Sequence, residues 1–334
     1  MLSERQKKLL KIIVEHYIRT AEPVSSKAVC KKLNCSSATI RSEMANLEHK
    51  GLLVKEHISS GRIPSDAGYN YYIDNLLDPK KISGEDMLKL QVIFKNSLTT
   101  TKVIDKSLEI ISDLTNLTAL KLGTKAKDNN LREVRSITLD NDNVIVIIIT
   151  DKGYVENRTI YLPNISKEDI NNTIKLINNL ISGTPLLKVN EKLDFEVKPI
   201  IGAYVKEYQM MYKTFYDVFE DINKSEYNIW GENELIKLPE FKNENKEIYD
   251  ILQTLEDENY IKSFKHSKKG DDEIEVYLGE ETDISDDLTI IKTGYKTRDE
   301  EGILALVGPK RMDYERIMSI LKYLKEVLEE YNDG

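Results

Sequence analysis

The stretch from Ser36 to Asn46 concentrates small hydrogen-bonding side chains and one guanidinium: Ser36, Ser37, Thr39, Arg41, Ser42 and Asn46, with Ala38 and Ala45 among them. Hydroxyls and amides of this size reach phosphate oxygens and base edges, and arginine carries a planar fork that matches the O6 and N7 acceptors of guanine. The near absence of bulk from Ser36 to Thr39 suits a helix whose backbone must come close to a groove of duplex nucleic acid. A second set, His57, Ser59, Ser60 and Arg62, surrounds Gly61. The competing readings are an ordinary solvated helix face for the first set and a plain turn for the second.

The elements around these residues decide between the readings. Ser3 and Gln6 have capping-box spacing ahead of Leu9, Leu10, Ile13, Val14, Tyr17 and Ile18, whose helical period predicts a helix over 4–20. Glu22-Pro23 breaks it. Ser25 or Ser26 can cap a short second helix that turns Val29, Cys30 and Leu33 inward, and Asn34-Cys35 makes a tight turn. Ser36 then caps a third helix with an apolar stripe of Ile40, Met44 and Leu47, ended by Gly51. Helix, short helix, turn, helix is helix-turn-helix architecture, and the polar set lies opposite the third helix's stripe. Residues 52–57 have strand character and Arg62-Ile63-Pro64 returns after Ser59-Ser60-Gly61, so a hairpin follows that helix directly. Such a wing would carry His57, Ser59, Ser60 and Arg62 alongside a phosphate backbone or minor groove.

Charge is unevenly distributed. The 334-residue chain has a net charge of -9 and a pI near 5.3. Its first 75 residues hold 12 Lys+Arg against 8 Asp+Glu, a balance of +4, which leaves -13 for the remainder. A basic module on an acidic body reads either as an electrostatic footprint for phosphate or as chance variation in surface charge. With 40% hydrophobic and 31% charged residues the composition is that of a soluble globular chain of two or three domains. No apolar run nears the ~20 residues that span a bilayer. A charged amphipathic opening without a secretory pattern, and only Cys30 and Cys35, lead to the expectation of a reducing, cytoplasmic compartment.

Enzyme chemistry finds little support. The two cysteines read as helix-packing residues rather than metal ligands, and no phosphate-cradling glycine loop or nucleophile elbow occurs, so no catalytic residue, cofactor or metal is expected. Gly308-Pro309-Lys310-Arg311 could hold an anion between a strand and a helix, or could be a tight turn with Arg311 salt-bridged inside the body.

Beyond the first module, residues 84–121 read as two helices, with the likeliest hinge at 78–84. Strand segments follow at 134–139, 144–150 and 154–161, joined by turn signals into an antiparallel meander whose middle strand should be buried on both faces. A helix is expected over about 166–182. Tyr204, Tyr208, Tyr212, Phe215, Tyr216 and Phe219 then mark a helical core, or a surface that pairs with a second copy. Strand character returns at 273–278, 288–295 and 302–307, and a last helix starts at Tyr314.

Ser36-Ser37-Ala38-Thr39-Ile40-Arg41-Ser42-Glu43-Met44, with Leu47-Glu48 and Gly51-Leu52, resembles the recognition helix of the heat-inducible transcription repressors of bacteria. Ser59-Ser60-Gly61-Arg62-Ile63-Pro64, Gly68-Tyr69 and Tyr72-Ile73-Asp74 resemble that family's wing and exit segment. Gly308-Pro309-Lys310-Arg311-Met312-Asp313-Tyr314 resembles its Gly-Pro-x-Arg-Met-x-Tyr signature. Ser42, Glu56 and Asn70 depart from the family pattern, where Asn, Pro and Arg are expected, and the last removes one possible phosphate contact. The resemblance implies an α+β chain: a winged helix-turn-helix at 1–77, a helical linker at 78–103, a GAF-like antiparallel domain split between 104–163 and 245–334, and an inserted, mainly helical dimerisation segment at 164–244. It also implies a homodimer on an inverted repeat of double-stranded DNA controlling chaperone operons, kept active by the chaperonin. The alternatives are a repressor switched by a small molecule in the GAF-like body, and a repressor fused to an enzyme of the biotin-ligase type, for which the glycine-rich loop is missing.

Overall fold

The computed structural model describes all residues except 1, 56–60, 78–81, 95–99, 126–128, 201–207, 224, 239–244, 264–272, 298–299 and 331–334. At the N-terminus, Ser3 and Gln6 cap each other's backbone and start α1 (Glu4–Thr20), which buries Leu9, Leu10, Ile13 and Val14. Ala21, in the left-handed region, ends it. Ser25 rather than Ser26 caps α2 (Ser26–Leu33) by accepting from the Ala28 amide. Asn34, also left-handed, turns the chain into α3 (Ser37–His49), whose buried side is Ile40, Met44 and Leu47. Strands β1 (Leu53–Val54) and β2 (Ile63–Pro64) form the wing's base, and Val24 adds a third rung by exchanging two 2.9 Å hydrogen bonds with Arg62. Gly61 is therefore more than a turn residue: a Cβ there would sit 2.5 Å from the Val24 carbonyl carbon, so the rung requires glycine.

After the wing, Ser65 caps α4 (Asp66–Asn75), which turns Tyr69 and Tyr72 inward. Then come α5 (Gly84–Phe94) and α6 (Thr100–Thr115). The helical reading of 84–121 runs too far. Asn116 is left-handed, and β3 (Thr118–Lys125) follows at once. The expected linker at 78–103 also includes part of the body. Asp86 of α5 is buried against Arg316, and Leu90 and Ile93 share an apolar core with α6.

Two sheets make up the rest. The meander β4 (Leu131–Thr138), β5 (Asn143–Thr150) and β6 (Val155–Tyr161) forms a three-stranded sheet of its own, with β5 central. It packs with α7 (Lys167–Ile181), helical turns over 186–197 and α8 (Tyr208–Asn223). Tyr212, Phe215 and Phe219 lie in that core, which is the first of the two readings of the aromatic stretch. The expected burial of β5 on both faces does not hold. Val144, Val146 and Ile148 face the helices, whereas Ile145, Ile147 and Ile149 alternate with them and are half-exposed.

The second sheet is five-stranded and antiparallel in the order β7-β3-β10-β9-β8, with β7 (Ser225–Trp230), β8 (Glu275–Leu278), β9 (Leu288–Lys296) and β10 (Glu300–Pro309). The chain leaves this sheet after β3 and re-enters it at β7, so the inserted unit runs over about 129–223. The expected boundaries at 163 and 244 fall elsewhere because the meander belongs to the insert and β7 to the main sheet. The insert also carries a sheet of its own beside its helices. Alternate residues of the main sheet point to opposite sides. Leu120, Leu122, Ile290 and Ala305 meet the helix Asn245–Glu256, and Ala119, Ile291, Leu304 and Leu306 meet α6 and the last helix, Tyr314–Glu330. That second core continues without interruption into α1, α3 and α4.

Candidate nucleic-acid interface

Three capped elements hold the candidate residues in place. The Ser36 hydroxyl accepts from the Thr39 amide at 3.2 Å and lies 2.9 Å from the Thr39 hydroxyl, so both side chains pin the start of α3. Ser36, Arg41, Ser42 and Asn46 are exposed, Ser37 and Thr39 half-buried, and Ala38 and Ala45 leave the surface between them low. The N-terminal amides of α3 and the helix dipole favour a negatively charged oxygen there. The back of α3 is tied to α1: Gln6 donates to Glu43 at 3.0 Å, and Arg5 pairs with the same carboxylate at 3.7 Å.

Arg41 and Arg62 are held differently. Arg41 donates from Nε to the Ser26 hydroxyl at 3.3 Å, and Ser26 in turn lies 2.9 Å from the Ser37 hydroxyl. Arg62, whose side chain is only 14% exposed, grips Glu48 in the last turns of α3 through Nη2 at 2.6 Å and Nε at 2.9 Å. Lys55 approaches the other oxygen of Glu48 at 3.8 Å. The expected placement of Arg62 at an open wing tip is thus corrected: its guanidinium braces the wing against α3, and a phosphate would have to share or displace Glu48. His57, Ser59 and Ser60 lie outside the described residues. Ser26 and Glu48 are the contributors that the motif reading missed. The Ser25-Ser26 pair was the available signal, since only one of two adjacent serines can cap α2.

Elsewhere, Lys310 of the Gly308–Arg311 turn pairs with Asp66 of α4 at 2.6 Å, so this cation serves the junction with the winged helix. Among the described residues no group of three or more His, Cys, Asp or Glu is placed to hold a metal ion, and no helix is long and apolar enough to cross a membrane.

A helix-turn-helix with a wing, a short-residue recognition face and an α+β body defines a DNA-binding regulator. Comparison with known proteins narrows the class. Residues 5–60 match the model of the DeoR-like helix-turn-helix domain, and residues 101–318 match that of the HrcA protein C terminal domain. Over 98% of its length the chain is 33% identical to the heat-inducible transcription repressor HrcA of Bacillus pumilus and 34% identical to that of Halalkalibacterium halodurans, covering 97% of each. A solved structure of a protein described only as hypothetical superposes with a TM-score of 0.66 at 23% identity, covering 99% of this chain and 97% of that one, which shows a shared fold. The chain belongs to the HrcA family of heat-inducible transcription repressors.

Proposed function

We propose that this repressor acts in the cytoplasm as a homodimer on an inverted repeat of double-stranded DNA upstream of chaperone genes, with the chaperonin sustaining its active form. The observation that carries the DNA reading is the outer face of α3, where Ser36, Ser37, Thr39, Arg41, Ser42 and Asn46 stand around a low alanine surface. In this reading α3 enters the major groove and the wing follows the backbone, offering His57, Ser59 and Ser60 to phosphate while Arg62 braces it against α3. One winged helix reads few base pairs, so two modules on a two-fold axis supply the specificity that one lacks.

The face of the insert's sheet turned away from its described helices supports the dimer. Ile137, Leu139, Val155 and Tyr161 are each more than half exposed there, beside Ile145, Ile147 and Ile149. By register Glu133, Arg135, Asn157 and Thr159 share this face, so it is an apolar row with polar flanks, and exposed apolar surface rimmed by polar residues marks association sites. Heat would then act through stability: a marginally stable dimer that melts releases its operator, and misfolded proteins that occupy the chaperonin have the same effect. Footprinting on DNA upstream of chaperone genes, with and without chaperonin and before and after mild heating, tests the reading. Protection of a palindromic site that chaperonin strengthens and heating abolishes supports it; no protected site there, or protection indifferent to both, refutes it.

A further inference from the structure

We infer that Ser26, on the helix before the recognition helix, is a positioning residue for base reading by Arg41. The inference rests on the reading of Arg41 as a base contact. Ser26 is the first residue of α2, but its neighbour Ser25 makes the cap. Its hydroxyl is therefore free of that task and lies between two groups of α3: the Ser37 hydroxyl at 2.9 Å and Arg41 Nε at 3.3 Å. A hydroxyl has one proton to donate and two lone pairs to accept with, so it can serve both neighbours at once.

The choice of nitrogen matters. Nε lies at the inner edge of the guanidinium, and its engagement leaves the two terminal nitrogens as an outward fork. That end of the group matches guanine O6 and N7 in the major groove. Arg41 has no carboxylate partner among its described contacts, whereas Arg62 is gripped by Glu48 at 2.6 Å. A neutral tether orients the side chain without compensating its charge, so the cation stays available to an electronegative base edge. The same hydroxyl touches Ser37 at the start of α3, so it sets the arginine relative to the helix end on which backbone approach depends.

The test uses the full-length protein on a duplex carrying the footprinted operator and on a series of duplexes with one operator base pair replaced in each half-site. Arg41→Ala should abolish discrimination at one guanine position. Ser26→Ala should reduce discrimination at that same position about three- to tenfold, the scale of one hydrogen bond, and leave the others unchanged. Ser26→Thr, which keeps the hydroxyl, should restore it, and the double variant should match Arg41→Ala alone. A Ser26→Ala loss spread evenly over all duplexes, or one that adds fully to Arg41→Ala, overturns the positioning role while leaving Arg41 as the reader. An Arg41→Ala variant with no position-specific loss overturns the reading beneath it as well.

Discussion

Asp66, in the first turn of the helix that leaves the wing, lies 2.6 Å from the ammonium of Lys310 in the turn that leaves the central sheet. Close by, the Tyr69 and Tyr314 rings meet at a centroid distance of 6.0 Å, and both are almost fully buried. The winged helix is thus docked on the body through its exit helix, and the two share one apolar core. A hinge at 78–84 would have left the orientation open; residues 78–81 lie outside the described part, but α4 before them and α5 after them are both packed. Heating that loosens the body therefore loosens the seat of the DNA-binding module.

The junction can be tested by truncation of the aromatic pair. Tyr69→Ala removes a buried ring and should cost about 3–5 kcal/mol, with the winged helix melting ahead of the body as a separate calorimetric transition. Lys310→Ala should cost less than about 1 kcal/mol, because that pair is partly exposed to water. A single unshifted transition for Tyr69→Ala would show that the junction carries no stability.

Arg41→Ala should weaken operator binding by about 1–3 kcal/mol while leaving binding to unrelated DNA nearly unchanged. Competition binding against random duplex at fixed salt checks this. Equal losses on both duplexes would place Arg41 on phosphate instead.

The ion pair between Arg62 and Glu48 gives a prediction of opposite sign. Glu48→Gln removes the charge that neutralises Arg62, so binding should strengthen across all sequences and the salt slope should steepen by up to about 1. Arg62→Ala should weaken binding on all sequences through a loosened wing. Salt titrations of both variants separate bracing from direct phosphate contact.

Much of the N-terminal module was legible because its signals are local. The Ser3, Ser25 and Ser36 caps and the stripe of Ile40, Met44 and Leu47 all act within a few residues. The Arg62–Glu48 pair was not, since it joins positions fourteen apart across a turn. Strands β3 and β7 were missed for a related reason. Thr118–Lys125 follows a helix after a two-residue turn, and Ser225–Trp230 lies in a tyrosine-rich helical neighbourhood. Each becomes a strand by pairing with partners remote in sequence: β3 beside β10, and β7 beside β3. The meander itself was found, but its membership of the insert depends on which sheet β7 joins.

Acid should weaken the packing of α5. Arg316 donates to both oxygens of Asp86, at 3.0 and 2.8 Å, and holds that carboxyl below the usual aspartate range. A carboxyl depressed in the folded state adds stability above its unfolded pKa, and that contribution is lost as pH falls through the folded value. The melting temperature of the wild type should therefore drop more steeply below about pH 4 than that of Asp86→Asn, which should already be less stable at pH 7. Parallel slopes for the two proteins would show that the pair has no part in acid sensitivity.

The insert's open sheet face yields the last prediction. Along β5 every residue from Val144 to Ile149 is apolar, although among the described residues only alternate ones are covered by helices. A strand on a one-sided sheet ordinarily alternates apolar with polar, and an unbroken run belongs to a strand covered on both sides. The missing cover is supplied if two copies meet through this face, with Ile145, Ile147 and Ile149 at its centre and Ile137, Leu139, Val155 and Tyr161 around them. A charge at position 145, between Ile137 and Thr159, would then be buried without an ionic partner, so Ile145→Asp should shift the protein to monomer in sedimentation experiments and reduce operator affinity in proportion to the lost second module. Circular dichroism and an unchanged affinity for non-specific DNA would show that the winged helix itself survives. A variant that stays dimeric would move the interface to another surface and leave the run in β5 without a partner.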